Sequence, residues 1–98
     1  MYLPPELRAE TFTPHVGSTF ALQGPQGPVA LELSKVALLG HGVPGGREPF
    51  SLHFLAPDAA RLEQRTWTLL HPALGQLDIF LVPLGPVQGR MRYEAVFT

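Results

Sequence analysis

The chain's histidines, serines and acids are the residue types with ordinary catalytic or ligating potential. His15, His41, His53 and His71 fall in no H-x-H or H-x-x-x-H arrangement. None has a carboxylate at ligand spacing, so zinc chemistry is not indicated. A hydrolytic triad needs a serine, a histidine and an acid brought together in space. Ser18, Ser34 and Ser51 sit at expected strand or strand-edge positions. None carries the strained strand-to-helix turn that exposes a nucleophile. His71 reads as a turn residue and His53 as the wet face of a strand. No catalytic set and no cofactor are expected, and an enzyme built on His53 or Asp78 is the outlying alternative.

Gly40-His41-Gly42-Val43-Pro44-Gly45 satisfies G-x-G-x-x-G after an expected strand. That motif works only where a helix N-terminus follows and aims its amides at a pyrophosphate. Here Gly46-Arg47-Glu48-Pro49 and another strand follow, so a surface loop is the better reading. A P-loop fails on the same ground, since Gly46-Arg47 stands where Lys-Ser/Thr is required. Asp78, an acid inside an apolar run, is expected to face solvent opposite Leu70, with a buried hydrogen-bonded carboxylate as the other reading. Arg61 and Arg65 lie four apart and read as a solvated turn. Trp67 reads as core, and its indole N–H then needs a partner.

Composition narrows the classes further. At 98 residues the chain is one domain with a single core. It is 45% hydrophobic and only 15% charged, well under the roughly 25% of an average soluble domain. A surface so poor in charge often seeks a partner. The net charge of −1, with Lys35 the one lysine, gives no field for nucleic acid. Without cysteine there is no disulfide or thiol chemistry. No leader pattern or membrane-length apolar run is present, so a cytoplasmic protein is expected.

The elements that must position these residues centre on Thr66 to Pro83, TWTLLHPALGQLDIFLVP. Two apolar runs flank a Pro-plus-Gly turn, the form of a β-hairpin. Paired in phase, Trp67, Leu69, Leu77, Ile79 and Leu81 share one face. Thr66, Thr68, Leu70, Asp78, Phe80 and Val82 share the other, and a one-residue slip would bring Asp78 into the apolar set. Pro72 suits the turn after His71, and Gly75 can supply a positive φ.

Upstream, Phe12 and Val16 are four apart and predict a short helical lid, limited by Pro14 and ended by Gly17. Strands are expected from Ser18 to Gln23 and from Val29 to Leu39, around a turn at 24–28. The second changes phase at Val36 and Leu38. A β-bulge near Ser34-Lys35 accounts for the shift, and burial of both faces is the other reading. A loop over 40–49 precedes a strand with Phe50, Leu52 and Phe54 inward and Ser51 and His53 outward. One helical turn is expected over Pro57 to Gln64, a second Gly/Pro turn over 83–89, and a last strand over Met91 to Thr98, inside the sheet. Six such strands predict an all-β fold, a small antiparallel barrel or roll ahead of a two-sheet sandwich.

The segments VGSTF at 16–20, PFSLHF at 49–54, HPALG at 71–75, IFLVPLGP at 79–86 and YEAVF at 93–97 resemble a family of small bacterial domains of unknown function. The likeness runs from Phe12 to Phe97. It implies no activity, cofactor or catalytic set. Members encoded near phage-tail-collar-like proteins imply an assembly or accessory role. The expected function is therefore a non-enzymatic binding or assembly module, meeting a protein partner or a second copy, with no nucleic acid or membrane involved. Contact is expected through the loops 40–49 (with His41 and Arg47) and 83–90, or an outward patch of Leu55, Leu70, Phe80 and Val82. A small barrel carrying an apolar molecule is the alternative.

Overall fold

The computed structural model describes residues 7–40, 48–57 and 60–97. A single helical turn, α1 (Ala9–Phe12), and a 3-10 turn (Thr13–His15) lead into six strands. These are β1 (Thr19–Gly24), β2 (Gly27–Leu38), β3 (Phe50–Pro57), β4 (Arg65–His71), β5 (Gly75–Val87) and β6 (Arg90–Phe97). All neighbours are antiparallel, and the sheet closes into a barrel in the order β1-β2-β3-β6-β5-β4. The last strand lies between β3 and β5, inside the sheet as expected.

The β4–β5 hairpin has the register that the alternation demands. Trp67 faces Ile79 and Leu69 faces Leu77, and all four side chains are buried with Leu81. Gly75 closes the turn at φ 77°, a conformation costly for any residue with a Cβ. In β2 the pairing with β3 slips between Leu33 and Lys35. Ser34 is therefore the extra residue of a bulge, and its Oγ donates to the His53 carbonyl at 3.0 Å. Such a bulge bends the strand and lets a short sheet curl shut.

Side chains seal both ends. At one end Phe12 of α1 enters among Phe20, Phe50 and Phe97, with ring centroids 6.0 to 6.5 Å away. At the other, residues 60–64 cross the mouth and bury Leu62. Two polar groups pin that crossing. The Tyr93 hydroxyl accepts from the Leu62 amide at 3.0 Å and donates to the Ala60 carbonyl at 3.3 Å. Trp67 Nε1 donates to the Glu63 carbonyl at 2.9 Å, which meets the need of a buried indole.

Four local expectations are corrected. Residues 60–64 form no helical turn; they are an irregular plug tied to Tyr93 and Trp67, and 58–59 lie outside the described residues. Val16 does not share Phe12's buried face. The helix tightens at Pro14 and Val16 is extended (φ −59°, ψ 131°), so the four-residue spacing no longer aligns them. PLGPVQG is no seven-residue turn: β5 runs through it to Val87, with a register shift between Pro83 and Gly85. Beyond Leu81 β5 has no β4 partner, so its prolines take donors from an edge, where sheets tolerate them. The reversal itself is Gln88-Gly89, both at positive φ (49° and 77°), as a two-residue hairpin turn prefers. Finally, Ser51 is fully buried despite its outward parity.

Among the described residues no helix is long and apolar enough to cross a membrane.

Tyr93→Phe should strand the buried Leu62 amide. We expect a loss of about 1–3 kcal/mol in urea denaturation and faster tryptic cleavage at Arg61 and Arg65. Stability equal to wild type would show that the hydroxyl does not hold the plug.

Candidate functional site

Phe80 and Val82 alternate on the outer face of β5. Val82 pairs with Glu94 of β6, where the β5–β6 ladder ends, and Val96 follows two residues further along the same face of β6. Phe80 and Val96 are each half exposed, at 51% and 52%. Val96 in turn pairs with Ser51 of β3, and Ser51 with Ala37 of β2. The outer wall thus carries Val96, Ser51 and Ala37 as a row across three strands, with Phe80 and Val82 on the outer face of β5. The short Ser51 side chain lies within this row, between Val96 and Ala37, which accounts for its burial.

The next row is polar: Lys35, His53 and Glu94 are successive register partners. Ser51 Oγ is 3.2 Å from His53 Nε2, and Glu94 Oε2 is 3.6 Å from the same nitrogen. A hydrolytic relay needs the acid on one ring nitrogen and the nucleophile on the other. Here both meet Nε2, and the serine is fully buried in a regular strand. The trio is a cross-strand polar contact of the kind that fixes register.

A second cluster closes the barrel beside α1. Ser18 Oγ donates to the His15 carbonyl at 2.6 Å, leaving its lone pairs for the His71 Nε2–H, 2.9 Å away. His71 Nδ1 accepts from the Ala73 and Leu74 amides at 3.0 and 3.3 Å. This network calls for the neutral Nε2–H tautomer, because a proton on Nδ1 would confront two donors. The ring is buried, with centroids 4.5 Å from Phe20 and 4.7 Å from His15. Burial, and then the charge of His15, hold the His71 pKa below its ordinary 6.5. His71, expected as a turn residue, is the last residue of β4, paired with Gly75, and is the acceptor that organises the 72–74 turn.

Of the anticipated patch, only Phe80 and Val82 are brought together. Leu70 is exposed on β4, but the Thr68–Asp78 pair separates it from Phe80. Leu55 lies on β3 between Glu32 and Arg92, beside the 2.9 Å ion pair of Glu32 with Arg90. His41 and Arg47 lie outside the described residues. Asp78 does face solvent, and its Oδ1 accepts from Thr68 Oγ1 at 2.7 Å; its register partner is Thr68, whereas Leu70 pairs with Gln76. Arg65 lies over the Trp67 ring, 4.6 Å from its centroid. Sequence reasoning missed Val96 and Glu94, whose alternation was visible but whose partners on β3 and β5 depend on strand order. Among the described residues no three metal-ligating side chains converge.

Residues 7–97 match the family described as a domain of unknown function, DUF6916. The chain belongs to that family. No curated protein and no solved structure matches it. For this DUF6916 chain the elements of the resemblance now have positions: HPALG is the His71 turn, and PFSLHF and YEAVF are the paired β3 and β6.

His71→Ala should cost about 1–3 kcal/mol at pH 8, because two turn amides lose their acceptor. The folded pKa lies below the unfolded one, so the neutral ring's contribution is present above about pH 6.5 and is lost as pH falls toward the folded value. The stability gap between wild type and variant, measured by denaturation from pH 8 to 5, should therefore narrow. A gap that widens on acidification would contradict the neutral tautomer.

Proposed function

We propose that this domain is a non-enzymatic binding or assembly module, an accessory of a phage-tail-like particle, working in the cytoplasm. It meets a protein partner or a second copy through the outer wall around Phe80, Val82 and Val96. The observation that carries this reading is the half exposure of Phe80 and Val96, on the outer faces of the neighbouring strands β5 and β6. Aromatic side chains such as Phe80 are enriched at protein interfaces, where surrounding contacts exclude water. The phage-tail element rests on the motif resemblance alone.

The apolar-carrier reading ranks second. The inward Phe20, Leu31, Leu33, Phe54, Leu69, Ile79, Leu81 and Tyr93 are essentially inaccessible and occupy the volume that a carrier would leave open.

Size-exclusion chromatography with light scattering, on wild type and on a Phe80→Asp/Val96→Asp variant, is the test. Both positions are exposed, so the variant's stability should stay near wild type, within about 1 kcal/mol for the pair. An oligomer that the double substitution dissociates supports self-association. A strict monomer at high concentration removes that version, and partner retention from native extract that survives the substitution removes the other.

A further inference from the structure

The barrel is closed unevenly. Most neighbouring strands share long ladders, but β1 and β4 share one register position, Ala21 with Leu70. Below it a surface groove of about 540 Å³ opens between them, lined by Leu22–Pro25 on one side and Arg65–Thr68 on the other. The main-chain direction along these edges follows from the turn. Gly24 pairs with Gly27 across a two-residue loop, so Gly24 and Leu22 aim their N–H and C=O at β2. Ala21 and Gln23 then aim theirs at β4. Leu70 meets Ala21, and by the same alternation Thr68 and Thr66 aim theirs at β1. Gln23 and Thr68 would form the next pair, yet among the described residues they are not partners. On β4 itself the Thr66 carbonyl accepts from the Nε of the adjacent Arg65 at 3.4 Å.

We infer that this seam binds an extended segment of a partner protein, which adds its backbone to the free edges of β1 and β4. The inference deepens the binding-module reading and depends on it. Three observations select this occupant. The main-chain groups of Gln23 and Thr68, which have no register partner across the seam, are complementary to another extended backbone. The seam is also free of the device that protects other edges. Pro28 lies where β2 lacks a β3 partner, and Pro83 and Pro86 where β5 lacks β4, whereas the strand residues 21–24 and 65–70 contain no proline and Pro25 stands only at the turn end of the groove. Lastly, the six described strands are all built into the barrel, so a second copy has none of them to lend without opening. At about 3.3 Å per residue, the Leu22–Pro25 wall accommodates three or four residues. Leu22 and Trp67 at the base favour an apolar side chain at alternate positions.

The test uses a blocked peptide of alternating threonine and valine flanked by lysines, and its counterpart N-methylated at alternate amides. Amide NMR of the full chain should show shifts and slowed exchange at Gln23, Thr66 and Thr68. N-methylation keeps the side chains and removes donors, so loss of two hydrogen bonds should weaken binding by about tenfold or more. Thr68→Pro should abolish binding; should that variant not fold, the methylated peptide decides the matter on wild type. Equal affinity for both peptides, or no change at the seam amides, overturns the proposal. Seam shifts that follow protein concentration without peptide overturn the partner assignment in favour of self-pairing. The Phe80→Asp/Val96→Asp variant should bind the peptide as wild type does, which separates failure at the seam from failure of the outer-wall interface.

Discussion

Six strands closed on themselves leave an interior no wider than the side chains that fill it, and everything else in this molecule follows from that limit. Closure disposes of most sheet edges but creates two open ends, and apolar side chains must cover both. Phe12 does so from α1, among Phe20, Phe50 and Phe97. Leu62 does so at the other mouth. Truncating a buried phenylalanine costs about 3–5 kcal/mol, against a total stability of about 5–15 kcal/mol for a domain. The lid and the plug are thus structural requirements, and chemistry directed at another molecule belongs on the outside.

The polar side chains that reach inward serve the same closure. Tyr93 and Trp67 direct their hydroxyl and indole N–H at the main chain of 60–64, which no ladder otherwise satisfies. His71 does the equivalent for the 72–74 turn and reaches back to Ser18 beside α1, coupling the β4–β5 hairpin to the lid. A titratable ring with a lowered pKa can suggest catalysis. Here both ring nitrogens are engaged by the fold, so the perturbation records burial.

Much of the fold was legible because period-two alternation survives wherever one face is buried. The β4–β5 hairpin, with Asp78 fixing its phase, and the bulge at Ser34 were both readable from parity. PLGPVQG was not, because proline and glycine carry two meanings. They end strands, and they also populate edges where a donor is superfluous, and only the ladder shows that β4 stops opposite Leu81. The Pro57–Gln64 segment misled through helix propensity, which a few kcal/mol of anchoring by Tyr93 and Trp67 readily overrides. The outer wall was half legible. Phe80 and Val82 share a strand, whereas Val96, Ser51 and Ala37 join them only once β6 is known to lie between β5 and β3.

Strand lengths explain why closure is uneven. β2 and β5 span 12 and 13 residues, while β1 and β4 span 6 and 7. Long strands outrun their neighbours, and on β2 and β5 the overhangs carry prolines that remove donors. The two shortest strands meet each other, and their ladder reduces to Ala21 and Leu70. Extending that ladder would bring Gln23 against Thr68 and bury the Trp67 edge beneath a continuous sheet. Neither position has a side chain that forbids it. The Arg65 guanidinium lies over the Trp67 ring at the edge of this groove, a group that can swing away at small cost because its charge remains in water. A seam with one register position and a groove beside it, in a barrel whose other strands share long ladders, is where a further strand could enter without disturbing the core.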